Sequence, residues 1–152
     1  FQEIAYIFWN VGWSKYGMFQ GVYTPGGAAN LYLGPEERAY IRVLQDFSSR
    51  LDAQVRPVPI QVSAPDQVRG YGLESNQVAA VYMHHFSDHS TVVRDLRISL
   101  DIPDALRAGT AITGEWIDPA AGIVMAKVQV AAGTTRVDVP PFTVDLALLL
   151  YR

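Results

Sequence analysis

The sequence predicts a mainly β protein, an antiparallel β-sandwich of about seven or eight strands preceded by a βα unit with one amphipathic helix. Three observations carry this prediction. The apolar run at 4–9 has the composition of a buried strand. The segment from Pro35 repeats its apolar residues at the spacing of a helix. From about Ile60 the apolar residues alternate with period two, between Pro, Gly, Asn and Asp turn signals.

The leading βα unit begins with the strand at 4–9, which is apolar on both faces as in a parallel sheet. An aromatic loop at 10–34 follows, and loops of this length in compact domains are usually functional or disordered. The aromatic content argues against disorder. The helix is predicted to begin at Pro35, which suits a first helical position, and to end near 51–53. One face carries the apolar residues that we expect to be buried, which are Tyr40, Val43, Leu44, Phe47 and Leu51.

The downstream strands are short and separated by roughly 8–12 residues, as in sandwiches and barrels. The last strand is apolar throughout, which predicts a central strand or one that is covered on both faces. Prolines 57, 59 and 65 mark a boundary, so we divide the chain into a βα unit at 1–58, a linker at 59–66 and a sandwich at 67–152. The predicted strands are 68–73, 78–86, 92–100, 111–116, 123–130, 134–139 and 144–151.

Composition excludes several classes of function. The 152 residues carry a net charge of −3 and only 18% charged side chains, which argues against a nucleic-acid partner. Cysteine is absent, so disulfides, thiolate catalysis and Cys-type zinc sites are excluded. No apolar run reaches the length of about 18 residues that spans a membrane. The sequence also lacks the glycine-rich nucleotide loops and the Gly-x-Ser-x-Gly elbow.

Two parts of the chain resemble the end of a TIM-barrel glycoside hydrolase. Ile-Phe-Trp-Asn at 7–10, the long loop, and Asn-Leu-Tyr-Leu-Gly-Pro-Glu-Glu-Arg at 30–38 before the helix resemble the eighth βα unit of such enzymes. The tail resembles the small β-sandwich that many of them carry, through Gly-Glu-Trp-Ile-Asp-Pro-Ala-Ala-Gly at 114–122, Val-Pro-Pro-Phe at 139–142 and the apolar final strand.

The resemblance implies the C-terminal portion of a longer bacterial enzyme that acts on a plant or microbial polysaccharide or oligosaccharide. Its partners would be carbohydrate and the remainder of a (β/α)8 catalytic domain, with no cofactor, and we expect it to be secreted or periplasmic. The two catalytic carboxylates of this family usually lie at the ends of the fourth and seventh strands, outside this stretch. Glu3 lies at the opposite, stability-related end of its strand, so we assign no catalytic residue.

Trp9 matches the strand-eight tryptophan that commonly forms the floor of the sugar subsite in this family. The loop after a barrel strand lies on the active-site face, so Asn10, Trp13 and Tyr16 are also predicted to contact substrate. The competing interpretation is that these rings pack between barrel and sandwich, and that Asn10 caps the loop through an Asx-turn.

All three histidines lie in one segment, His84-His85-Phe86-Ser87-Asp88-His89, whose imidazoles and carboxylate are possible metal ligands. Adjacent residues of a strand face opposite sides, so only one of the first two histidines can join Asp88 and His89. We therefore favour a strand that ends in a polar turn, and predict no metal. Separately, Trp116, Asp118, Pro119 and Gly122 predict a turn beside a packed tryptophan, and Asp145 is expected to pair with an arginine or to cap a loop.

Two other functions stay open. A self-contained carbohydrate-binding module would present an exposed, planar row of aromatic side chains. A purely structural or assembly domain would bury the aromatic loop at 10–34 against the sandwich or a second copy.

Overall fold

The computed structural model describes residues 35–102, 106, 111–131 and 136–152. These residues form a helix and, within the described ranges, nine strands in antiparallel sheets of six and three strands, which confirms the predicted fold class. The elements are α1 Pro35–Ser48, β1 Arg56–Val58, β2 Gln61–Val62, β3 Val68–Glu74, β4 Val78–His85, β5 Arg97–Ser99, β6 Ala111–Asp118, β7 Ile123–Ala131, β8 Arg136–Asp138 and β9 Asp145–Tyr151.

The larger sheet has the strand order β1-β3-β4-β9-β6-β7, and the smaller sheet has the order β2-β5-β8. Strand β9 pairs with β4 on one side and with β6 on the other. Its five residues from Leu146 to Leu150 are all buried. The prediction of a central, doubly covered final strand is therefore confirmed.

The inner face of the larger sheet and the apolar side of the smaller sheet share the main core. Period-two alternation places Leu146, Leu148 and Leu150 of β9 in this core, which also contains Ile98 of β5. Trp116 of β6 is only 2% exposed there, as expected for a packed rather than a ligand-binding tryptophan.

The outer face of the larger sheet carries a second, smaller core. Leu149 of β9 and Ala80 of β4 belong to it, and they are covered by Phe47 of α1 together with Leu51 and Val55 of the segment that follows. This explains why β9 is apolar at every position, since both of its faces remove side chains from water.

The helix begins at Pro35 as predicted, but it ends at Ser48, earlier than the expected 51–53. Its apolar face is also less buried than expected, because Tyr40 is 56% exposed and Leu44 is 45% exposed. Periodicity predicted which residues share a face of the helix. Of the predicted face, Phe47 and Leu51 pack against the outer core of the sheet, and Val43 lies against Gly122 of the β6–β7 turn.

The sequence did not predict two short strands, β1 and β2, because Pro57 and Pro59 indicate a loop rather than a strand. Strand β2 lies inside the predicted linker 59–66, where Ile60 and Val62 pack against the main core. This close approach requires glycine in β3, because a Cβ atom on Gly72 would lie 2.6 Å from Ile60 Cγ1. The chain divides into two compact units, Phe1–Ile41 and Arg42–Arg152.

The predicted strand 92–100 is shorter in the structure. Asp95 has a φ of 54°, a left-handed conformation that interrupts an extended strand. The remainder is an isolated bridge between Val93 and Phe142, followed by β5. The predicted strand 4–9 and the aromatic loop 10–34 lie outside the described residues.

The β6–β7 hairpin confirms the predicted turn. The Asp118 carboxylate accepts hydrogen bonds from the backbone N–H groups of Ala120, at 2.8 Å, and Ala121, at 3.2 Å. Gly122 closes the turn with a φ of +70°, which glycine adopts without steric cost. Its Cα faces Val43 of α1, so this position has no room for a side chain.

Candidate functional site

Aromatic and ionisable side chains gather at one end of the outer face of the larger sheet, beyond the part that Phe47, Leu51 and Val55 cover. Strand register brings them together, since Tyr71 of β3 lies opposite Tyr82 of β4, and cross-strand partners share a face. His84 of β4 likewise lies opposite Asp145 of β9. We call this set the tyrosine–histidine patch; it comprises Arg69, Tyr71, Tyr82, His84, Phe86, His89 and Asp145.

The two tyrosines form its aromatic part. Their ring centroids are 6.3 Å apart, and the ring planes differ by only 28°. Tyr71 is 56% exposed and Tyr82 is 39% exposed. A cross-strand aromatic pair stabilises a sheet by about 0.2–1 kcal/mol, and the exposed parts of both rings remain accessible to a ligand.

Asp145 supplies the acidic group of the patch. The Tyr82 hydroxyl donates a hydrogen bond of 3.1 Å to Asp145 Oδ2. Burial raises the pKa of Tyr82, and the Asp145 charge and hydrogen bond raise it further, so the hydroxyl remains a donor. Burial also raises the pKa of Asp145, although the Tyr82 hydrogen bond acts in the opposite direction. Among the described residues, the hydrogen-bond partner of Asp145 is therefore this tyrosine of β4 and not the expected arginine or loop N–H group.

His84 and His89 meet at the edge of the patch, with their Nε2 atoms 3.0 Å apart. The turn between them is held by Asp88, whose Oδ1 accepts hydrogen bonds from Ser90 N, at 2.8 Å, and Ser90 Oγ, at 2.7 Å. Thr91 Oγ1 donates to the other oxygen. These bonds, that of Thr91 foremost, lower the pKa of Asp88. Its carboxylate therefore holds together the polar turn that the sequence predicted at the end of this strand.

His85 faces the opposite side of the sheet, which confirms that adjacent histidines diverge. It is 2% exposed, and its Nδ1 lies 2.9 Å from the backbone oxygen of Thr143. At the exposed end of the strand the Arg69 guanidinium lies 4.4 Å from the centroid of the Phe86 ring, a cation–π contact. The exposed side chains of Arg69 and Phe86 therefore have a defined orientation.

A second polar cluster lies on the covered part of the outer face. Glu115 of β6 is buried, and its carboxylate accepts a hydrogen bond of 2.6 Å from Arg50 Nη2 and one of 2.8 Å from the Tyr151 hydroxyl. Lys127 Nζ adds a longer ion pair of 3.5 Å. The Arg50 hydrogen bond is the main cause that lowers the pKa of Glu115, and the Tyr151 bond adds to it.

A cleft of about 380 Å³ adjoins this cluster, lined by Arg50, Asp52, Asn76, Gln77, Val78, Tyr151 and Arg152. Its charged groups are already engaged inside the fold. Arg50 binds Glu115, and Asp52 accepts a hydrogen bond from Ser75. Structural partners thus account for this cleft, whereas the tyrosine–histidine patch keeps exposed rings and polar atoms.

The predicted sugar-contacting residues Trp9, Asn10, Trp13 and Tyr16 lie outside the described residues, and so does Glu3. Tyr71 and Tyr82 were not predicted as site residues. Their signal was present, because each is an aromatic residue at an outward position of an alternating strand. Their pairing was not visible, because it depends on the register between β3 and β4.

Within the described ranges, no group of three or more His, Asp or Glu side chains could hold a metal ion. Within the same ranges, no helix is long and apolar enough to cross a membrane. No protein-family model matches the chain, and no curated protein is significantly similar to it.

Proposed function

We propose that this chain is the C-terminal part of a glycoside hydrolase, and that its β-sandwich contacts carbohydrate through the tyrosine–histidine patch. The pair of exposed, nearly parallel rings of Tyr71 and Tyr82 carries the proposal. An aromatic ring offers the flat apolar surface on which the C–H face of a pyranose packs. Ligand sites add a few polar groups to such a surface, because these fix orientation and specificity.

The patch contains the required polar groups beside the rings. Asp145 accepts a hydrogen bond from Tyr82 and keeps further acceptor capacity on its carboxylate. Arg69 offers guanidinium donors at one end. An acceptor and a donor that flank an aromatic pair match the vicinal hydroxyl groups of a sugar ring.

The assignment to a glycoside hydrolase rests on the resemblance of segments 7–10, 30–38 and 114–122 to the last βα unit and appended sandwich of those enzymes. The observed order of a helix followed by an antiparallel sandwich supports it. Hydrolysis in the parent enzyme would use carboxylates from strands outside this stretch, with Trp9, Asn10, Trp13 and Tyr16 in the sugar subsite.

Affinity gel electrophoresis against a panel of plant and bacterial polysaccharides tests the carbohydrate contact. We expect at least one polysaccharide to retard the chain, and Tyr71→Ala to abolish the retardation. Tyr40→Ala is the matched control, because Tyr40 of α1 has the same 56% exposure and lies outside the patch. Absence of retardation by every polysaccharide would contradict carbohydrate contact by the patch.

The enzymatic part has its own test. The 152-residue chain is expected to hydrolyse no member of a glycoside panel, and the coding sequence upstream of Phe1 is expected to encode further βα units with strand-end glutamates. Turnover of a glycoside by the chain alone would contradict the assignment of catalysis to residues outside it.

A sandwich that only braces the catalytic domain is the second candidate. Phe47, Leu51 and Val55 favour it, because they cover part of the outer face with the segment that leads into the sandwich. This candidate predicts that Tyr71→Ala changes no interaction with any polysaccharide, and that the domain acts through stability alone.

A further inference from the structure

We propose that His84 and His89 form a binding site for one divalent transition-metal ion of the kind that prefers imidazole ligands, namely Zn²⁺, Ni²⁺ or Cu²⁺. The observation behind it is the Nε2–Nε2 distance of 3.0 Å between the partly buried imidazole of His84 and the exposed imidazole of His89. Imidazole nitrogen is a preferred ligand of these three ions.

The distance suits chelation. With metal–nitrogen bonds of about 2.0–2.1 Å, two ligand nitrogens at right angles are about 2.9 Å apart, and two at the tetrahedral angle are about 3.3 Å apart. The observed separation lies within this interval. The rings are 5.0 Å apart at their centroids and tilted by 57°, so both nitrogens point toward the gap between them without stacking.

The two imidazoles are held in position before any ion binds. His84 lies in β4, paired with β3 and β9 on its two sides. His89 lies in the turn that Asp88 fixes through Ser90 and Thr91. A preorganised pair loses little conformational entropy on binding, which favours affinity.

The surrounding charge also suits a cation. Asp145 lies directly opposite His84 on β9 and interacts electrostatically with both histidines. It supplies negative charge near the two rings and is not counted as a ligand, because no group of three such side chains in the described ranges could hold a metal ion. Binding moves the shared proton from one Nε2 to the Nδ1 of the same ring, so that both Nε2 atoms present lone pairs to the ion. Water completes the coordination.

Titration of chelator-treated protein with ZnCl2 and NiCl2 by isothermal calorimetry tests the site. We expect one ion per chain, and either His84→Ala or His89→Ala should weaken binding by about 100-fold, because a chelate becomes a single ligand. Ser87→Ala, an exposed change between the two histidines, should leave binding unchanged. Lack of binding, or binding that survives the double variant His84→Ala/His89→Ala, would overturn the proposal.

Histidine NMR provides a test that needs no variant. The chain has three histidines, and Zn²⁺ should shift the Nε2 resonances of His84 and His89 while leaving His85, which is buried against Thr143, in place. Equal shifts of all three, or none, would contradict the site. The proposal does not depend on carbohydrate binding: Tyr71→Ala should leave Zn²⁺ affinity unchanged, so the two proposals fail separately.

Discussion

The outer face of the six-stranded sheet has two halves with different surroundings. On one half, Phe47, Leu51 and Val55 bury Leu149 and its neighbours, and Arg50 holds the buried carboxylate of Glu115. On the other half, the tyrosine–histidine patch leaves rings and polar atoms exposed. The same strands, β4 and β9, contribute to both. The difference teaches that the same strands bury their side chains at one end and leave aromatic and polar side chains exposed at the other.

The largest expected effect tests whether the covered half contributes more to the free energy of unfolding than the open half. Leu149→Ala removes a side chain that is 1% exposed on the covered half, and should lower the free energy of unfolding by about 3 kcal/mol. Tyr71→Ala on the open half removes one exposed cross-strand aromatic pair and should lower it by at most about 1 kcal/mol. Urea unfolding followed by circular dichroism measures both. A loss for Tyr71→Ala as large as that for Leu149→Ala would mean that the patch is part of the core.

The second prediction concerns the buried carboxylate. Arg50→Ala leaves Glu115 with fewer hydrogen bonds in a buried position, and should cost about 1–2 kcal/mol, because a partly exposed arginine is partly replaced by water. Arg97→Ala is the matched control, since its partner Asp138 is exposed and surface pairs contribute about 0–1 kcal/mol. Equal losses for the two variants would show that burial of Glu115 contributes nothing to the pair.

The smallest expected effect is a difference in the pH dependence of stability between Glu115 on the covered half and Asp145 on the open half. The pKa of Glu115 is lowered in the folded state, so its stabilisation is present above the ordinary glutamate pKa of about 4.3 and is lost as pH falls through the lower folded value. The pKa of Asp145 is raised, so its ionised form costs stability near neutral pH, and this cost disappears below the ordinary aspartate pKa of about 3.9.

Unfolding of two variants between pH 3 and pH 7 measures these opposite signs. Asp145→Asn keeps an oxygen acceptor for Tyr82 and should match or exceed the wild type by up to about 0.5 kcal/mol at pH 7, with the difference vanishing near pH 3. Glu115→Gln should be less stable than the wild type at pH 7, with a smaller gap in acid. A marked loss of stability in Asp145→Asn at pH 7 would mean that its charge supports the fold.

Much of the fold could be predicted from local patterns. The start of α1 at Pro35 and the alternation of β3, β4 and β6 were visible because each depends on neighbouring residues. Strands β1 and β2 were not, because their two or three residues have no periodicity and lie among prolines. The polar turn that contains Asp88 and His89 was predictable. The contact between His89 and His84 was not, since it requires three-dimensional proximity.

The sequence by itself determined the fold class, the central place of the apolar strand β9, the opposite directions of His84 and His85, and the Asp118–Gly122 turn. Each of these follows from period, steric preference or hydropathy within a short stretch of chain. Only the tertiary structure decided that Tyr71 lies beside Tyr82, that Asp145 accepts a hydrogen bond from Tyr82, and which half of the outer face is covered. These depend on strand register and on packing between distant segments, which are set by how the whole chain removes its apolar side chains from water.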